Sequence, residues 1–167
     1  EGDRVNAKKF LSDMASFFAL LIAVISVIVF FAMPAIAKII APQYGLADTK
    51  LLISISRIML LSPVFLGFSN IFGIVTQYYK QYALWSCAPL VYNLGIVIGI
   101  TVLFPQFGLW GLAWGVVLGA AGHMALQIPA VKKHRLFPTF HRYSWATIKT
   151  VFMQAIPRTI ALSLNSL

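Results

Sequence analysis

Residues 17–40 read FFALLIAVISVIVFFAMPAIAKII. A helix crossing the hydrocarbon core of a bilayer needs about 20 consecutive apolar residues, and this run supplies them. Its one charge, Lys38, is close enough to the end to snorkel to the headgroups. Pro34 interrupts the run without ending it. The whole chain agrees with this reading, being 60% hydrophobic and 10% charged, with a mean hydropathy of +0.86. A soluble domain carries about 25% charge, so there is too little polar surface here to cover a water-soluble globule. The fold class is all-α, a polytopic transmembrane helix bundle.

Three more runs are long enough to span, from about Ser54 to Gln77, Ala83 to Phe104 and Leu109 to Ala130. A fifth starts near Val151 and is cut off. The segments are then a lead-in over 1–14, a four-helix membrane bundle over 15–130, a basic segment over 131–150 and a truncated next span over 151–167. The chain does not begin with Met and stops inside an apolar run, so it is expected to be a piece of a longer polypeptide.

Basic residues gather on one side of these spans: Arg4, Lys8 and Lys9, then Lys80, then Lys132, Lys133, Arg135, Arg142 and Lys149. The opposite side has Lys38 and Lys50, and the loop PQFG has none. The positive-inside bias places 1–14 and 131–150 in the cytoplasm. Short connections such as YYKQY and PQFG force antiparallel neighbours. Within 131–150 and beyond, Trp145, Ile148, Phe152 and Ile156 repeat at helical spacing, which predicts an amphipathic helix on the inner leaflet leading into the fifth span.

The balance of 13 Lys+Arg against 4 Asp+Glu would suggest nucleic acid in a soluble protein. In a membrane protein it points instead to loops facing anionic lipid, or to a cavity for an anionic substrate; nucleic acid is not an expected partner. Glu1, Asp3, Asp13 and Asp48 all fall outside the spans on this reading, leaving no acid–base pair and no membrane-depth proton relay. Cys87 is alone, and His123, His134 and His141 match no common metal spacing. No catalysis, metal or cofactor is expected.

Helix packing is well supplied. Gly111, Gly115 and Gly119 repeat every four residues, with His123 and Gln127 further along the same ridge, and Gly95 and Gly99 form a second such pair. Small residues at this spacing let backbones approach where lipid supplies no hydrophobic drive. Pro63, Gly67, Asn70, Gly73 and Gln77 share one broad face of the second span. Asn70 and Asn93 read as interhelical bridges or as cavity lining. Pro89 is placed in the first turn of its span, with Asn93 one turn later on the same side, where the glycines bring a neighbour close enough to receive it. Arg57, about one turn into the outer end of its span, reads as snorkelling. Arg158 follows Pro157, with Ser163 and Asn165 beyond it, and suits a water-filled cavity that receives an anion.

These residues carry a resemblance. SRIMLLSPVFLGFSNIFGIVTQYYKQYALWSCAPLVYNLGIVIGI over 56–100, followed by GLAWGVVLGAAGHMALQIPAVKKH over 111–134, resembles the MurJ/MviN family of lipid II flippases, relatives of the multidrug and polysaccharide exporters. The shared elements are Arg-Ile-Met at 57–59, the Gly73–Gln77 turn, Ala-Pro-x-x-Tyr-Asn at 88–93, and Gly115, Gly119, Gln127 and Pro129 in order. EGDRVNAKKFLSDM and QAIPRTIALSLNSL at the ends also look like the family's flanking segments. The resemblance implies helices three to six of a fourteen-helix flippase and the start of the seventh. It further implies alternating-access transport of lipid-linked peptidoglycan precursor, of the undecaprenyl-pyrophosphate type, across the bacterial cytoplasmic (inner) membrane. Arg158, Ser163 and Asn165 would then border the cavity, with Arg57 and Asn93 as further candidates. A coupling ion is left open by these residues. The alternatives are another transporter of the same superfamily, or a four-span scaffold that associates through its glycine ridges.

Overall fold

A computed structural model describes residues 2–140 and 143–164. The helices are α1 (Gly2–Ile40), α2 (Leu46–Met59), α3 (Leu61–Tyr78), α4 (Tyr82–Ile98), α5 (Phe104–Phe107), α6 (Leu109–Ala125), α7 (Ile128–Lys133) and α8 (Trp145–Leu164). A π-helical turn, Gly99–Leu103, joins α4 to α5. There is no strand among the described residues. Four stretches are long and apolar enough to cross a membrane: Val5–Ile40, Leu46–Tyr78, Tyr82–Phe107 and Leu109–Lys133. The all-α membrane bundle expected from the sequence is therefore the architecture observed.

Prolines account for the irregularities. Pro63 has no N–H for the Met59 carbonyl, and the second span breaks at Leu60, between α2 and α3. Pro105 follows the π turn, in which the Phe104 N–H reaches back to the Gly99 carbonyl. Pro89 lies deeper than expected. Because α4 begins at Tyr82, the proline is about two turns in, and the Trp85 carbonyl loses its intrahelical donor.

The centre of the bundle is α6, which contacts α2, α3, α4, α5 and α7. It is buried on two faces, Gly111, Gly115 and Gly119 on one and Ala113, Val117 and Ala120 on the other. Such a helix can be enclosed only if its side chains are small. A Cβ added to Gly99 would stand 2.8 Å from the Gly115 Cα, and one added to Gly95 would collide with the Gly119 backbone. Gly111 is in the same relation to the Leu103 backbone of the π turn. The seam between α4 and α6 is thus backbone against backbone.

At one end of the bundle, two helices stop in the same way. Lys80 (φ 56) and Arg135 (φ 57) adopt the left-handed conformation usually filled by glycine. Gln81 N–H donates to the Thr76 carbonyl at 2.7 Å, and Leu136 N–H to the Val131 carbonyl at 3.0 Å. The two caps are joined by His134, which stacks on Tyr79 at 3.5 Å between ring centroids and lies 3.0 Å from Gln81 Nε2. The Thr139 N–H donates to Ser12 Oγ at 3.1 Å, which straps the loop before α8 onto α1. α8 then runs unbroken across the boundary placed at 150/151.

Candidate functional site

Two polar arrangements lie within the spans. The first is a cleft of about 420 Å³ between α3, α4 and α6. Ser69 of α3 is fully buried at its wall. Its Oγ lies 2.6 Å from His123 Nδ1, donates to the His123 carbonyl at 3.2 Å and accepts from Gln127 Nε2 at 2.6 Å. A hydroxyl has one proton. That proton goes to the His123 carbonyl when Nδ1 carries its own hydrogen, and to Nδ1 in the other tautomer. Gln127 is 1% exposed, and its buried Oε1 finds no hydrogen-bond partner among the described residues. Gly73 makes room for that oxygen, since a Cβ there would meet it at 3.2 Å.

Asn70, Gln77 and Ser86 add uncharged polar groups to the lining. Trp85 and Pro89 line the same cleft, so the carbonyl that Pro89 deprives of a donor belongs to a cleft residue. The site combines amide, hydroxyl and imidazole groups with a spare acceptor at its buried end. It can hold neutral hydrogen-bonding groups or water, and no formal charge of its own defines a cargo. The sequence drew attention to Asn70, Gln77, His123 and Gln127; Ser69, which links His123 to Gln127, carried no signal beyond its place beside Asn70.

The second arrangement centres on Arg57. Its helix begins at Leu46, about 16 Å along the axis before Arg57. Its Nε donates to the Phe30 carbonyl at 3.2 Å, and its guanidinium carbon stands 4.1 Å from the centre of the Phe30 ring. Phe30 is four residues before Pro34 in α1. Its carbonyl is therefore the one Pro34 leaves without an intrahelical donor, and Arg57 supplies the missing hydrogen bond from the neighbouring helix. Among the described residues no carboxylate pairs with this guanidinium.

Asn93 also departs from its expected place. It is exposed, with no hydrogen bond to the described residues, while Gly95 and Gly99 are buried. At 100° per residue, a position two before Gly95 lies about 200° around the helix, away from the seam. Arg158 and Ser163 lie in the later turns of α8, and Asn165 lies outside the described residues.

A residue missed by the sequence reading is Asp13, which is inside α1 and 1% exposed. Its Oδ1 accepts from the Ser144 N–H at 3.2 Å and its Oδ2 from Thr147 Oγ1 at 3.0 Å. The carboxylate therefore caps the start of α8 from a distant helix, where the helix dipole favours negative charge. No cluster of three or more metal-ligating side chains occurs among the described residues.

The chain matches the family described as Lipid II flippase MurJ over residues 1–167. It is 25% identical over 124 residues to the lipid II flippase MurJ of Burkholderia cenocepacia, covering 70% of this chain and 24% of that protein. It is 24% identical over 143 residues to the probable lipid II flippase MurJ of Buchnera aphidicola, covering 81% of this chain and 28% of that protein. It thus spans about a quarter of the length of the curated relatives it matches. No solved structure matches it. With the family pattern running from the first residue to the last, this bundle belongs to the MurJ lipid II flippase family.

Proposed function

We propose that these helices form part of a flippase that moves lipid-linked peptidoglycan precursor across the bacterial cytoplasmic (inner) membrane by alternating access. The observation that carries this reading is the family match over the full chain. The composition supports it: 13 Lys+Arg against 4 Asp+Glu suits an anionic, pyrophosphate-linked cargo. The family's relatives are named as flippases, which fits a transporter.

In this reading residues 1–14 and 131–150 face the cytoplasm, and their lysines and arginines lie against anionic lipid headgroups. The glycine-packed unit of α4 and α6 moves as one rigid body, because backbone contact leaves the helices no room to slide. Arg158, Ser163 and Asn165, at the start of the next span, border the cavity that takes the pyrophosphate and sugar. The test is binding of lipid II to the full-length protein carrying these residues, followed by native mass spectrometry. Retention of lipid II in preference to undecaprenyl phosphate, weakened about tenfold or more in Arg158→Ala by loss of one charge-assisted contact, is expected. Equal retention of both lipids would overturn the cargo assignment.

A further inference from the structure

Arg57 stands at the edge of an apolar groove of about 450 Å³ between α1 and the α2–α3 span. Val27, Phe30, Phe31, Ile58, Leu61 and Val64 line it, and it is open, with Phe31 74% exposed. Among the described residues, Arg57 spends its Nε–H on the Phe30 carbonyl and finds no acceptor for its terminal N–H groups. A guanidinium without a counter-ion inside a membrane span is costly unless it reaches an anion.

The depth can be estimated. Leu46–Tyr78 has 33 residues, about 50 Å of helix against a hydrocarbon core of about 30 Å, so it overhangs by about 10 Å at each end. Arg57 then lies about 6 Å below the headgroup boundary, within the reach of a snorkelling arginine. A cation just under that boundary, continuous with an apolar groove, matches one kind of molecule: phosphate at one end and acyl chain at the other. We propose that Arg57 and this groove bind an anionic membrane phospholipid, its phosphate on the guanidinium and an acyl chain between α1 and α3. The leaflet is the one away from Lys132 and Lys133. Pro34 has a part in this site, because the carbonyl it frees at Phe30 fixes the arginine's orientation.

The inference does not depend on the flippase reading, and its test reads lipid contact rather than transport. The full-length protein is placed in phosphatidylcholine nanodiscs with a tracer of phosphatidylglycerol carrying a photoactivatable acyl chain, and crosslinked peptides are identified by mass spectrometry. Labelling of the segments 27–31 and 58–64, favouring phosphatidylglycerol over an equally labelled phosphatidylcholine, is expected. Arg57→Gln keeps a donor for Phe30, because its Nε2 lies the same number of bonds from the backbone as the arginine Nε. It should fold normally yet lose about tenfold of the preference, as expected for one charge-assisted pair. Val64→Trp should fill the groove and abolish labelling with Arg57 intact. Unchanged preference in Arg57→Gln would overturn the proposal, as would absence of wild-type labelling because other protein covers the groove. An Arg57-dependent ³¹P shift of inorganic phosphate in nanodiscs without anionic lipid would assign the cation to a soluble anion and overturn the lipid assignment.

Discussion

Replacing Gly115 with alanine adds one methyl group to the backbone-to-backbone seam between α4 and α6. Its Cβ would collide with the Gly99 Cα and stand 3.0 Å from both the Gly95 carbonyl oxygen and the Gly99 nitrogen. All three are backbone atoms of the opposite strip, so no rotamer change can relieve the contact. Ordinary carbon contacts lie at about 3.5–4.0 Å, so α4 and α6 must separate by about 1 Å. That separation also loosens the Gly95–Gly119 contact one turn away. Overpacking of this kind costs about 1–3 kcal/mol, and with rigid backbone on both sides the upper half of that range is expected. Gly45 is the control, because a Cβ there meets nothing nearer than 3.9 Å. The assay is thermal unfolding of the full-length protein in detergent, with Gly115→Ala and Gly45→Ala compared side by side. A melting temperature several degrees below the control is predicted, at about 2–4 °C per kcal/mol for a chain of this size and less in a larger protein. Equal melting temperatures would refute the claim that the seam is packed backbone to backbone.

Further predictions concern the polar contacts. Arg57→Ala should destabilise by about 1–3 kcal/mol by leaving the Phe30 carbonyl unpaired, whereas Pro34→Ala supplies an N–H from within α1, so the double variant should lose less than Arg57→Ala alone in a denaturation cycle. Ser69→Ala should cost about 1–3 kcal/mol because His123 and Gln127 both lose a buried partner; Gln127→Met should cost less, since it also removes an acceptor that is already unsatisfied. Asp13→Ala should remove the cap of α8 and cost about 0.5–2 kcal/mol, read as faster hydrogen exchange over 144–148. Lys80→Gly should stabilise by about 0.5–1 kcal/mol, because its φ of 56° suits glycine better than a residue with a Cβ, with chemical denaturation as the readout.

The spans were legible because lipid demands long apolar runs, and the four-residue glycine spacing pointed to the seam that α4 and α6 form. What could not be read was pairing between distant residues. Pro34 announced an orphan carbonyl, and Arg57 announced a cation in need of a partner, but nothing local says that each answers the other. Asp13 looked like a lead-in carboxylate because its partners, Ser144 and Thr147, lie across the whole bundle in sequence. One error was rotational: Asn93 was assigned to the glycine side although its offset from Gly95 carries it round the helix. The helix of the second span also extends outward through LADTK, which is too polar to extend a hydrophobic window.

We propose that these helices serve the transbilayer movement of lipid II in the full-length protein. The most direct measurement is made on the full-length protein in proteoliposomes loaded with fluorescent lipid II, with an impermeant quencher reporting how much of the lipid changes leaflet. Protein-dependent translocation of lipid II that is absent from empty vesicles, and slowed by Gly115→Ala in proportion to the weakened seam, is predicted. Translocation no faster than in empty vesicles, from protein shown to be folded, would contradict the account.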